Sequence, residues 1–146
     1  MTTLRGPDPY ALAEERLATV PTELAVSDRD AECCQILHES IPTFNYVALY
    51  RTGNAALDLA TWVGSAPPPS YLRRPRSEQT SVRNDLATDP NPPFWAGSTR
   101  AEVLLPFVTS AGQAALLVAS DHRGAFGPAD LALLRLVVHT LQGCER

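Results

Sequence analysis

The chain of 146 residues predicts an α+β fold, a central antiparallel sheet of about five to six strands with terminal helices on one face. Three observations predict it. Two pairs of short apolar runs, rich in β-branched and aromatic residues, are each joined by a tight Gly-bearing turn, the mark of a β-hairpin. Helical spacing of apolar residues stands only toward the chain ends. Between the hairpins runs SAPPPSYLRRPRSEQTSVRNDLATDPNPPFWAGS, residues 65–98, too rich in proline and charge for long regular elements. Strands and helices segregated in this way form two layers, which leaves the irregular segment to cover the second face of the sheet.

In PYALAEERLATV (9–20), Tyr10, Ala13, Leu17 and Val20 recur at helical intervals, and Pro21 closes the helix. Ser27 reads as the N-cap of a second helix running to about Ser40, with Asp28 and Asp30 where the helix dipole favours anions. Its inner face is Cys33, Cys34, Leu37 and Ile41. FNYVALYR (44–51) and AALDLATWVG (55–64) form the first hairpin around TGN. Phe44, Tyr46, Ala48 and Tyr50 fall on one face of its first strand and Val47 and Leu49 on the other, as in a strand covered on both sides.

Within the crossover only SVR (81–83) reads as a strand. AEVLLPFVT (101–109) and QAALLVASD (113–121) form the second hairpin, in which Pro106 cannot donate a ladder bond and belongs at a bulge or beside an unpaired position. Gly127 and Pro128 open a last helix. Its row of Leu131, Leu134, Val138 and Leu141 is widened by Leu133, Leu136 and Val137, more apolar surface than one contact needs. Together with the stripe on the first helix, this surplus predicts a homodimer built from the terminal helices, with residues 1–26 as the dimerisation segment and 27–146 as the domain proper.

A net charge of −4 argues against nucleic-acid or anionic-lipid partners, which require clustered positive charge. No apolar run approaches the roughly 18 residues of a membrane span, and the N-terminus lacks a signal-peptide core. Three cysteines, two of them adjacent, make no even disulfide framework. Reduced thiols in a bacterial cytoplasm are the expectation.

His38, His122 and His139 show no ligand spacing, so neither a metal nor another cofactor is expected. YLRRPR (71–76) carries three arginines able to grip a phosphate or carboxylate, although a solvated loop is the preferred reading. The ligand-binding candidates are Trp62, Arg83, Asp85, Phe94, Trp95, Arg100 and Glu102, aromatic and charged groups near strand ends that the crossover has to face. For Phe94 and Trp95 the preferred reading is an aromatic plug on the sheet. No nucleophile elbow, phosphate loop or paired-carboxylate motif is present.

YVALYRTGNAALDLATWVG, VRNDLATDP and RAEVLLPFVTSAGQAALLVASDHRGAFGPADLALLRLVVHTL together resemble the GAF domain, the small-molecule-sensing module related to PAS domains, over about residues 27–143. The resemblance implies a non-enzymatic regulatory domain that binds a small molecule or relays a protein partner's state. The alternative is a ligand-free scaffold for dimerisation or docking, and a free methionine sulfoxide reductase-like enzyme comes third. Cyclic-nucleotide-binding members carry an Asn-Lys-Phe-Asp-Glu signature, and this chain has no lysine. The reductases of this family place cysteines in their pocket loops, whereas residues 64–100 contain none. The family segment that walls the pocket is shortened here and broken by Pro67, Pro68, Pro69 and Pro75.

Overall fold

The computed structural model describes residues 8–95 and 98–143. Its elements are α1 (Pro9–Ala18), α2 (Val26–Ser40), β1 (Tyr46–Thr52), β2 (Leu57–Val63), β3 (Tyr71–Leu72), β4 (Ser81–Arg83), β5 (Ala101–Thr109), β6 (Gly112–Ser120) and α3 (Pro128–Gly143). The strands form one antiparallel six-stranded sheet in the order β3-β2-β1-β6-β5-β4. The α+β architecture is the one expected. The two hairpins are joined along β1 and β6, from Tyr46↔Ala119 to Arg51↔Ala114, which makes these strands the centre of the sheet.

Local chemistry fixes the helix ends. Asp8 caps α1 by accepting from Tyr10 N at 2.9 Å, and Pro9 takes the first helical position. Ser27 is not the cap of α2. The helix starts at Val26 after Ala25, because the buried Arg29 guanidinium donates to Thr22 O (2.9 Å) and Leu24 O (2.8 Å) and ties the preceding turn to the helix. At the start of α3, Asp130 accepts from Gly127 N at 2.9 Å and from Tyr10 OH at 2.7 Å. Burial, and then Asp130, push the Tyr10 phenol up to about 12.

All three helices lie on one face. Leu17, Cys33, Cys34, Ile36 and Leu37 from α1 and α2 pack there with Val47, Leu49, Val103, Leu105, Phe107, Leu116 and Val118 from the sheet. Two expectations about faces change. Phe44 belongs to this cluster rather than to the row of Tyr46, Ala48 and Tyr50, because it precedes β1: its N–H donates to Ile41 O and its ring centroid lies 5.7 Å from that of Phe126. On α3 the fully buried residues are Leu133, Leu134, Val137 and Leu141, with Leu131 and Val138 only partly covered.

The α1 stripe is occupied within the chain, since Ala13 and Leu17 are buried where α1 packs on α2 and α3. A chain beginning at Thr22 is therefore expected to lose at least about 2 kcal/mol of stability, from the burial of Leu17 and the bond between Tyr10 and Asp130. Urea unfolding of the two lengths measures it, and equal midpoints would show α1 to be dispensable.

Pro106 sits in an unbroken β5–β6 register opposite Ala115. On its other side β4 pairs only with Glu102 through Leu104, so the strand beyond has an open edge that tolerates a residue without an N–H. β3, unread in the sequence, pairs Leu57↔Leu72 and Asp58↔Tyr71. No helix among the described residues is long and apolar enough to cross a membrane.

Candidate functional site on the crossover face

Strand alternation sends Tyr46, Ala48 and Tyr50 of β1 and Ala115, Leu117 and Ala119 of β6 to the face opposite the helices. The three alanines keep the middle of that face low. The crossover fills the space with Trp95, which is 0% exposed, lies 4.9 Å from the Tyr46 ring and donates from its indole Nε1 to Ala66 O at 3.2 Å. Further ties hold the crossover down: Tyr50 OH donates to Pro69 O (2.7 Å), Arg74 Nη2 to Gly53 O (2.8 Å) and Gln113 Nε2 to Pro75 O (3.2 Å). Burial pushes the Tyr50 phenol upward, so it stays a donor at neutral pH.

A buried charge pair anchors Trp95. Arg83 and Glu102 are register partners across β4 and β5 and so share a face. Glu102, 1% exposed, accepts at Oε1 from Phe94 N (2.9 Å) and Arg83 Nη1 (3.2 Å), and at Oε2 from Trp95 N (2.7 Å). Burial raises its pKa, while the two backbone N–H groups and Arg83 pull it back. Arg83 also donates to Asp89 Oδ2 (3.0 Å), Asn91 O (2.6 Å) and Pro92 O (2.8 Å), and its guanidinium carbon lies 5.4 Å from the Phe94 ring centroid. The Asp89 carboxyl is held below its ordinary range, first by the Asn91 N–H and then by Arg83. One guanidinium thus folds residues 89–95 onto the sheet.

Of the residues singled out in the sequence, Arg83, Phe94, Trp95 and Glu102 come together here. Trp62 pairs with Ala48 and so shares their face, but it is 39% exposed and no hydrogen bond or ring contact among the described residues ties it to the four. Asp85 lies apart, accepting from Ala87 N and facing Arg123 at 3.7 Å. Arg100 enters through its backbone, which bonds Ser120 O and Leu86 N, and its side chain is exposed. Sequence reasoning passed over Tyr46 and Tyr50 as site residues, although two tyrosines flanking Ala48 on one strand face were visible as a wall with a gap.

Cys33 and Cys34 are buried on the helix side, and burial drives the Cys34 thiol strongly upward. Cys144 lies outside the described residues. His38 Nδ1 lies 3.0 Å from Phe44 O, and His122 and His139 are exposed. No group of three or more His, Cys, Asp or Glu placed to hold a metal ion occurs among the described residues.

Beside the closed region the crossover leaves an open groove of about 670 Å³. Its lining includes Leu104, the β3 residues Tyr71 and Leu72, Phe94, and Arg73 and Arg74.

No family profile matches the chain by sequence, and no curated protein does either. Solved structures do match in fold. The fRMsr of Staphylococcus aureus in its reduced form is similar with a TM-score of 0.81 at 15% identity, over 100% of both chains. Free methionine-R-sulfoxide reductase from Neisseria meningitidis, in complex with its substrate, is similar at 0.77 and 19% identity, over 99% of this chain and 94% of that one. The GAF domain from Acinetobacter phosphoenolpyruvate-protein phosphotransferase is similar at 0.71 and 12% identity, over 93% of this chain and 89% of that one. The fold is GAF-like. The expectation of a non-enzymatic regulatory domain or scaffold is corrected here: solved structures named as free methionine-R-sulfoxide reductases share this fold over 94–100% of this chain.

Proposed function

We propose that the chain is an enzyme that reduces a small free sulfoxide bound on the crossover face of the sheet. The observation that supports it is the likeness to sulfoxide reductases over the full length of both chains, crossover included. Reducing a sulfoxide to a thioether consumes two electrons and two protons and releases water; two thiols supply both and end as a disulfide. Cys33 and Cys34 do not fit that role, since both are buried on the opposite side of the sheet and a reactive thiol has to be reachable and readily ionised. The first thiol is then Cys144 or one from solution, and the second comes from solution to complete the disulfide, which suits a reducing cytoplasm. Because Trp95 fills the space beside Glu102, substrate reaches the carboxyl only when the arm of residues 89–95 lifts.

The test incubates the protein with free methionine-R-sulfoxide and excess dithiothreitol and measures methionine by chromatography. Protein-dependent methionine is expected, and a Cys33→Ala, Cys34→Ala double variant should keep the rate within about twofold, since both thiols are buried away from the crossover face and burial pushes that of Cys34 toward the neutral form. Loss of the rate in Cys144→Ser would identify Cys144 as the first thiol, with dithiothreitol supplying the second, whereas retention would assign both thiols to dithiothreitol. Methionine formation no faster than with dithiothreitol alone would overturn the proposal.

A further inference from the structure

The open groove presents apolar surface and positive charge together, and part of each is left over from the contacts by which Arg74 and Phe94 hold the crossover. Tyr71 is 61% exposed and Phe94 37% exposed, and both line the groove. Leu104, which also lines the groove, is only half-buried where it pairs with Ser81, the first residue of β4. Exposed aromatic surface of this kind marks a place where an apolar body is missing.

The rim supplies the second half. Arg74 spends one guanidinium nitrogen on Gly53 O (2.8 Å) and Asn54 O (3.3 Å), which fixes it in place with donors to spare. Arg73 makes no hydrogen bond or ion pair with the described residues. No acidic residue lines the groove among the described residues. At about 670 Å³ the groove is of the size of small-ligand sites.

From this juxtaposition of two exposed aromatic rings and two guanidinium groups around one groove, we infer that the crossover binds a flat apolar monoacid, an aryl carboxylate, with its ring system between Tyr71 and Phe94 and its carboxylate on Arg73. A planar carboxylate matches the guanidinium fork, and planar hydrocarbon matches the aromatic walls. A bare inorganic anion would leave the apolar walls wet, and a neutral aromatic would leave Arg73 unpaired. The site lies outside the space filled by Trp95, and its Phe94 wall belongs to the arm of residues 89–95, so a ligand there meets the arm in its closed position.

The experiment titrates the whole chain by calorimetry with 2-naphthoate, with 2-naphthamide, which has the same ring system without the charge, and with inorganic phosphate. Naphthoate is expected to bind, the amide at least about tenfold more weakly, and phosphate not at all, since the charge-assisted pair and the apolar contact are both needed. Arg73→Gln, an exposed position whose replacement leaves the fold intact, should bring naphthoate down to the affinity of the amide and leave the amide unchanged. Equal binding of acid and amide, indifference to Arg73→Gln, or no binding of naphthoate at millimolar concentration would each overturn the inference. So would a dimer by light scattering that Phe94→Ala converts to monomer, because the groove would then be covered by a second copy.

Discussion

Replacing Trp95 by alanine is expected to lower stability by about 3–5 kcal/mol, the usual loss when a fully buried large aromatic is truncated. At this chain length that corresponds to a fall in Tm of roughly 10 °C. The cost has identifiable parts. The indole is completely buried against Tyr46, and its Nε1–H satisfies Ala66 O, so truncation leaves both a cavity and a carbonyl without its donor. The surroundings have little freedom to collapse, because the floor is rigid β-sheet and the segment above is tied to it through Pro69 and Pro75. A cavity of that shape should take up free indole, and several millimolar indole should restore part of the lost Tm, since a ligand that binds only the folded state stabilises it. Thermal unfolding with and without indole reads both effects. A Tm within about 2 °C of the parent would show that the crossover does not depend on Trp95.

Arg83→Met should be nearly as damaging, at about 3–5 kcal/mol at neutral pH, because removing one partner leaves the other charge buried and uncompensated. Glu102 would keep the Phe94 and Trp95 N–H groups but lose its only cationic neighbour in the structure's described hydrogen bonds and ion pairs, and Asn91 O and Pro92 O would lose their donor. The loss should depend on pH with a definite sign. Glu102 has a raised pKa in the folded state, so its contribution to stability is fully present below the unfolded value and is lost as pH rises through the folded one. Without Arg83 that pKa moves further up, which makes the variant fall further behind as pH rises. Asp89 does not alter this slope: its lowered pKa contributes stability that is present in full above the unfolded value and is lost only in more acid solution. Denaturant midpoints of parent and variant at pH 5 and pH 7.5 test this, and a difference that shrinks toward pH 7.5 would contradict the account of the buried pair.

The sequence by itself determined the two hairpins, the three helices and their gathering on one side of a sheet. Those features follow from local sterics and periodicity: VALY and ALLV need two covered faces, Pro9 and Pro128 open helices, and the glycine at 112, with φ +118, makes the β5–β6 turn. The sequence also singled out Arg83, Phe94, Trp95 and Glu102, since charge and aromatic rings stand out in a stretch otherwise made of proline and small polar residues. Only the tertiary structure decided that these four form one unit while Asp85 and Arg100 stand aside. The reason is that Arg83 reaches Glu102 by strand register but reaches Asp89, Asn91 and Pro92 through the path of an irregular loop, and no period in the sequence encodes that path. The same holds for β3, whose two residues become a strand through pairing with β2, and for Phe44, whose face was set by the turn before β1 rather than by strand alternation. Function was the least legible of all, because a fold found in proteins named as sensors and as reductases is built from apolar spacing, and apolar spacing carries no record of what the crossover does.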